Sequence, residues 1–304
     1  MTRSFTADLS KSARRAHRSR QQEKLDANRT LTKRTFGIEI EYVGTPLKRQ
    51  VAQALEIALG EHVHVTGYHS TTCSVCGRRD VAYGEWKVCH DGSLGARTVH
   101  SNGVADSTTG EIVSPVLVGE AGIDKVKIVL ATLRAVGGKS SARCGIHIHA
   151  GGKDLTANAL QRMVKNYEQV QDEIYSWMPS RRASNSYSPK LRSSALTNLY
   201  QGVKVFKETG NDGGLGSKYA GLNISPLARI GTVEFRMHQG SVDTNIIAPW
   251  IRFVVGFMDS QVDDEHIVQT TIGTNESVLT YLVDGKYLPA KSAEKLAQRV
   301  GRWN

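Results

Sequence analysis

Three short segments of this 304-residue chain alternate between apolar and titratable residues. In "GIEIEY" (37–42), Ile38 and Ile40 interleave with Glu39 and Glu41. In "GIHIHA" (145–150), Ile146 and Ile148 interleave with His147 and His149, and in "VEFRMH" (233–238), Val233, Phe235 and Met237 interleave with Glu234, Arg236 and His238. Successive side chains of a β-strand point to opposite faces, so each segment reads as a strand with an apolar back and a polar front. An ordinary wet face would carry Thr, Lys and Gln. One such strand is unexceptional, but three carboxylates without nearby cations repel one another and raise their own pKa values, a cost that a bound metal removes. Paired carboxylates and imidazoles hold hard or borderline divalent ions. Arg236 carries a planar fork suited to phosphate or carboxylate. On alternation alone His238 joins this wall as its outermost member, a partner of Glu234.

The rest of the chain supplies a frame for these strands. Strands are predicted at 35–44, at 83–94 (ending in an Asp-Gly turn), at 110–119 (interrupted by Pro115) and at 144–152. Helical spacing covers 47–59, 121–138 and 154–178, the last with Thr156 as N-cap. Residues 60–83 read as irregular, 179–192 as a loop carrying Arg181, Arg182, Lys190 and Arg192, and 217–227 as the approach to the third alternating strand. Residues 244–304 read as mainly helical. Strands and helices alternate without Gly-rich βα turns, which predicts an α+β fold with a largely antiparallel sheet, not a doubly wound nucleotide fold.

No run of about 18 apolar residues and no apolar signal core are present, and the expected location is cytoplasmic. The net charge of +10 is concentrated: residues 1–35 hold ten basic and three acidic residues, a net +7. The division expected is a basic arm over 1–34 and a catalytic domain over 35–304, the latter with a Cys/His-rich insertion at 60–90 and a helical end. The arm reads either as a solvated leader or as a contact for nucleic acid or another anionic partner. Cys73-x-x-Cys76 followed by Gly77 has the form of a zinc knuckle turn. A structural zinc would take Cys73, Cys76, Cys89 and one histidine, His69, with His62 and His64 as further candidates; the alternative is unligated thiols. Cys144, just before Gly145, reads as a small core residue.

"GIEIEY", "WKVCHDGSL", "EIVSP", "CGIHIH", "SKYAGLN" and "TVEFRMHQGSVD", in this order, resemble the motif series of the amidoligase family of carboxylate-amine ligases, which groups with glutamine synthetase and glutamate-cysteine ligase. They span about two thirds of the chain. The resemblance implies an antiparallel sheet with a funnel-shaped active site, ATP, two or more Mg²⁺ and formation of an amide bond. By that likeness Glu39 and Glu41 are metal ligands, with Glu41 nearest the acyl acceptor. Glu111 and Glu234 complete the coordination, and His147 helps to hold the metal near the nucleotide. His149 sits beside substrate or phosphate, and Arg236 neutralises the transferring phosphate. Lys218 and Asn223 contact nucleotide or substrate, and Asp91 and Ser93 line the substrate mouth.

The chemistry gives that residue set a reason. A carboxylate accepts an amine only after its oxygen becomes a leaving group, so ATP converts it to an acyl phosphate that the amine then displaces. Both steps build negative charge on oxygen, which metal and Arg stabilise. Two other classes would use the same features: a metal-dependent hydrolase or phosphoryl-transfer enzyme on the Glu/His face, and a nucleic-acid-binding protein acting through the arm. The carboxylate donor, glutamyl or other, and the amine acceptor are not specified by these motifs.

Overall fold

The computed structural model describes residues 33–44, 47–67, 70, 72–79, 84–95, 98–101, 104–262, 272 and 276–302. The basic arm lies outside them except for Lys33 and Arg34, as does His69. In chain order the elements are β1 (Thr35–Gly44), α1 (Lys48–Leu59), β2 (Val63–Val65), β3 (Trp86–Cys89), β4 (Thr98–Ser101), β5 (Val104–Ser107), β6 (Thr109–Val113) and β7 (Leu117–Val118). There follow α2 (Gly119–Ala135), β8 (Gly138–Lys139), β9 (Gly145–Gly151), α3 (Ala157–Ser176), α4 (Ser193–Thr209), β10 (Leu222–Asn223), α5 (Pro226–Arg229) and β11 (Thr232–Gln239). Helices α6 (Thr244–Asp259), α7 (Val278–Asp284) and α8 (Ala290–Ala297) complete the described chain.

The main sheet runs β10-β11-β9-β1-β6-β3-β2, with β7 and β8 pairing opposite ends of β1, and the only parallel pair in it is β2 with β3. The α+β, largely antiparallel expectation is met. Ile38, Ile40, Ile112, Ile146, Ile148, Val233 and Phe235 are all buried on one side of it. Helices cover that side: α1 packs on β2 and β3, α2 on β7 and β8, and α6 on β9. Burial of each such side chain contributes about 1.5–3 kcal/mol. A one-residue slip of any of these strands would exchange that set for Glu or His, so the alternation itself fixes the register.

One strand breaks the alternation. Phe235 pairs with Ile148, but His238 pairs with Ile146, so Arg236 and Met237 together oppose His147 in a β-bulge. The extra residue inverts the facing of everything after it. His238 therefore leaves the front wall and is buried on the helical side. Its ring lies 5.1 Å from that of Trp250, its Nδ1 contacts the Gln239 carbonyl at 2.6 Å, and Arg299 Nη1 is 2.9 Å from its Nε2. Burial, and after it the Arg299 charge, hold its pKa well below the usual imidazole value. Its expected place beside Glu234 is thus corrected. Buried Arg182 braces the bulge: Nε donates to the Met237 carbonyl at 3.1 Å, and Nη2 to those of Arg236 and His238 at 2.8 and 3.3 Å.

Thr156 caps α3 by accepting from the Ala159 N–H at 3.1 Å. Arg34, counted with the arm in the sequence, is 7% exposed and ion-paired with Asp154 and Asp259 at 2.8 and 2.6 Å, so it ties the start of β1 to the end of α6. Several elements had no counterpart in the sequence reading, among them β2, the β4–β5 hairpin, β8, and α4, whose Leu196, Leu199 and Val203 are buried at helical spacing. Among the described residues no helix is long and apolar enough to cross a membrane.

Candidate active site

Register assembles the polar face. Glu39 of β1 lies opposite His147 of β9, and Glu41 lies opposite Glu111 of β6. On the other side of β9, His149 lies opposite Glu234, which in turn lies opposite Asn223 of β10. Side chains directly opposite on one face have Cβ atoms about 4.5–5.5 Å apart, so the group is contiguous.

His147 is the hub. Its Nδ1 is 3.0 Å from Glu39 Oε2 and 3.6 Å from Glu234 Oε1, and its Nε2 is 3.5 Å from Glu41 Oε1. His149 Nε2 lies 3.4 Å from Glu39 Oε1 and 3.6 Å from Glu234 Oε1, while its Nδ1 meets Thr232 Oγ1 at 3.0 Å. Arg236 Nη1 donates to Glu234 Oε1 at 2.5 Å, and Asn223 Nδ2 donates to Glu234 Oε2 at 2.6 Å. The Asn223 carbonyl oxygen accepts from Ser225 N and Oγ, which orients the amide. Asn223 thus positions Glu234. Glu41 is 8% exposed and accepts from the Gly145 N–H at 2.6 Å.

Two sets of candidate metal ligands result, Glu39 with Glu111 and His147, and Glu39 with His149 and Glu234. In each, the ligand atoms lie within 4.8 Å of one another. Glu39 belongs to both. Divalent cations fit these residues on an observation of charge: the half-buried Glu111 carboxyl has no hydrogen bond or ion pair to another side chain among the described residues. Burial, then the Glu39 and Glu41 carboxylates, hold its pKa well above the usual value. Burial also works against ionisation of Glu39, but hydrogen bonds from His147 and His149 outweigh it and leave the pKa well below normal. Glu41 is pushed up by burial and by Asp91 against the pull of His147. Burial disfavours the charged form of His149, yet its hydrogen bond to Glu39 raises the pKa. Arg236 Nε is buried without a hydrogen-bond partner, as an anion-binding guanidinium would be before its ligand arrives.

A carboxyl whose folded pKa is raised contributes stability below its unfolded pKa and loses it as pH rises toward the folded value. Glu111→Gln should therefore stabilise the metal-free protein at neutral pH by about 1 kcal/mol, a rise of about 2–4 °C in thermal midpoint. The gain should shrink as pH falls toward the ordinary carboxylate range. Melting curves in EDTA from acid to neutral pH check this, and a lower midpoint for the variant at neutral pH would contradict it.

Two cavities meet on this wall. The larger, about 1450 Å³, is lined by Phe36, His149, Lys153, Asn223, Pro226 and Glu234, among others. The smaller, about 930 Å³, is lined by Glu41, Asp91, Ser93, His147, Arg181 and Arg182, among others. Both include Glu39, Glu111, Lys218, Arg229 and Arg236. Of the residues singled out in the sequence, the front-face set is thus contiguous, and Asp91, Ser93 and Lys218 line the cavities around it. Asp91 also accepts from the Ser93 N–H at 2.7 Å, capping a short 3₁₀ turn, and exposed Lys218 reaches over the Tyr219 ring. Cys89 lines the smaller cavity, and burial pushes its thiol up. Thr232 and Arg229 were not assigned roles at the site from sequence, and Arg182 was read only as part of a loop that could gate or steer an acidic donor. Thr232 was legible as the residue two before Glu234 on the same face; Arg182 and Arg229 lie in short turns with no periodic signal.

The profile of a family described as "Putative amidoligase enzyme" matches residues 32–258. Among solved structures, the chain is similar to a novel glutamine synthase homologue, with 11% identity and a TM-score of 0.38 over 92% of this chain and 67% of that one. It is also similar to a bifunctional glutathione synthetase from Pasteurella multocida, with 11% identity and a TM-score of 0.41 over 92% of this chain and 48% of that one. A third is Plasmodium falciparum glutamine synthetase, with 9% identity and a TM-score of 0.33 over 86% and 59%. The chain spans roughly half to two thirds of the length of these structures. No curated protein matches it.

Proposed function

The chain belongs to the amidoligase family, and from that premise we propose that it is an ATP-dependent carboxylate-amine ligase that forms an amide through an acyl phosphate. The observation that carries this reading is the pair of cavities sharing Glu39, Glu111 and Arg236. A ligase must bring a nucleotide and a carboxylate to one point from two sides, and a shared wall of metal-ligating and cationic groups is such a point.

In this reading the nucleotide occupies the larger cavity, where Pro115 and exposed Val116 offer apolar surface. The carboxylate donor and the amine enter the smaller one, whose Arg143, Arg181, Arg182 and Lys87 suit an acidic donor. Glu39, Glu111 and His147 would hold one divalent cation, and Glu39, His149 and Glu234 a second. Bound there, Mg²⁺ supplies charge neutralisation for phosphate oxygens, and the imidazoles make Mn²⁺ an acceptable substitute. Arg236 binds the phosphoryl group through its Nε face while Nη1 stays on Glu234. The phosphoryl passes to the donor carboxylate, and the amine then attacks the acyl carbon and expels phosphate. Glu41, in the smaller cavity beside Asp91 and Arg182, is placed to take the proton from the attacking ammonium.

The test is release of ADP and phosphate from ATP with Mg²⁺ or Mn²⁺ across pools of carboxylates and amines. The expected result is release that depends on one pair, with a product lighter by one water than the two reactants combined. Nucleotide turnover with no such product would replace the ligase by a phosphoryl-transfer hydrolase. Absence of nucleotide binding in calorimetry with either metal would overturn both.

A further inference from the structure

The connection from β2 to β3 has little of its own to hold it. It runs from Thr66 to Glu85, and of its described residues only Thr66 and Cys73 are buried, while Val75 is 60% exposed. With no helix or strand among its described residues, a connection this long needs another source of order. Its backbone is nonetheless closely defined around Cys73. Thr66 and Cys73 form an isolated antiparallel bridge, the Cys73 N–H donates to the Arg78 carbonyl at 2.9 Å, and the Gly77 N–H donates to the Cys73 carbonyl at 3.0 Å. Gly77 takes a φ of +73°, a left-handed conformation that favours glycine. Within this turn the Cys76 N–H points at Cys73 Sγ from 3.5 Å. An N–H directed at sulfur suits a thiolate held in a metal knuckle.

The histidines of the preceding strand converge on the same point. His64, fully buried, places Nδ1 3.6 Å from Cys76 Sγ. Zinc bonds of about 2.3 Å to sulfur and about 2.0–2.1 Å to nitrogen imply a sulfur-to-nitrogen edge of about 3.6 Å in a tetrahedron. The opposite nitrogen, Nε2, lies 3.1 Å from Glu85 Oε2, and Arg78 Nη1 donates to Glu85 Oε1 at 2.7 Å. A carboxylate on the far nitrogen is the arrangement that orients a metal-binding imidazole. His62, two residues back and so on the same side of the extended chain, repeats it: Nδ1 is 3.1 Å from Glu56 Oε1. His62, His64 and Cys76 each bring a ligand atom within 4.8 Å of the other two.

We propose that Cys73, Cys76, His64 and His62 form a tetrahedral structural zinc site, separate from the carboxylate face, that locks the β2–β3 connection. Two thiolates balance the ion's charge, and the sulfur donors select zinc over magnesium. This ligand set differs from the sequence expectation. Cys89 faces the smaller cavity instead, His64 and His62 supply the nitrogens, and His69 lies outside the described residues.

The full chain, expressed with zinc in the medium and purified under reducing conditions, should carry zinc that resists gel filtration. Exchange with Co²⁺ should give tetrahedral ligand-field bands together with thiolate charge-transfer absorption, which neither ligand set of the Glu/His face contains a cysteine to produce. Cys76→Ser and Cys73→Ser should each roughly halve the charge-transfer intensity or release the metal, whereas Cys89→Ser and Cys144→Ser should leave it intact. Glu85→Gln keeps all four ligands, so it should fold, retain the Co²⁺ spectrum and lose about 10–100-fold in metal affinity by chelator competition. That variant keeps the proposal testable if Cys76→Ser fails to fold. A metal-free reduced protein, a Cys73–Cys76 disulfide lighter by two hydrogens, or a thiolate cobalt spectrum undiminished in Cys76→Ser would overturn it.

Discussion

Glu39→Gln should reduce turnover about 10³-fold, since losing several kcal/mol of charge stabilisation at 1.36 kcal/mol per tenfold gives that factor. The reason lies in its double membership: the carboxylate belongs to both ligand sets, whereas Glu111 and Glu234 each belong to one. The loss should therefore exceed that of Glu111→Gln or Glu234→Gln measured under the same metal concentration, and raising Mg²⁺ or Mn²⁺ should restore the single-set variants better than Glu39→Gln. Gln is nearly isosteric and retains an oxygen for His147, so cooperative unfolding should persist. Steady-state kinetics beside denaturant titration decide the matter. Full activity would remove Glu39 from the site, and loss of cooperative unfolding would make the face a structural polar cluster.

Arg236→Ala should lower kcat by about 10²–10³-fold, the range for removing one donor to a developing charge. Nucleotide affinity should fall much less, because the buried Nε is assigned to the phosphoryl group in transfer and not to the nucleotide as a whole. Arg236→Lys should remain severely impaired, since an ammonium cannot donate through two directions of a planar fork. The variant has a stability cost as well. Glu234 is 3% exposed and would keep Asn223 but lose its guanidinium. A kcat near the parent's, in a folded protein, would sink the assignment.

Most of the front face was legible because period two is a strong code where one side of a strand is buried. Glu39, Glu41, His147, His149, Glu234 and Arg236 were all found as the complements of an aliphatic stripe. His238 followed the same rule and misled, since a bulge leaves no mark in the pattern of residue types. What sequence could not supply was adjacency. That β1 lies between β6 and β9, which sets Glu41 against Glu111 and Glu39 against His147, depends on long-range pairing. The Cys/His segment shows the same limit: spacing identified Cys73 and Cys76 and left His62, His64 and His69 all open as partners, and only the fold brings His64 of β2 to Cys76. A three-residue strand is too short for its alternation to be read.

The bulge in β11 also divides the strand into two regimes of tolerance. Before it, the even-numbered residues meet the cavities, and replacing Glu234 or Arg236 changes what the protein can do more than whether it folds. After it, the even-numbered His238 lies against Trp250 and Arg299, and replacing it changes the reverse. Deleting Met237 alone would remove the bulge yet leave Arg236 opposite His147 and His238 opposite Ile146, keeping both facings while taking away the carbonyl that Arg182 Nε binds. A scan of all substitutions along 232–239 should therefore show its periodic signal change parity at one peptide, held in place by the three carbonyls that Arg182 binds.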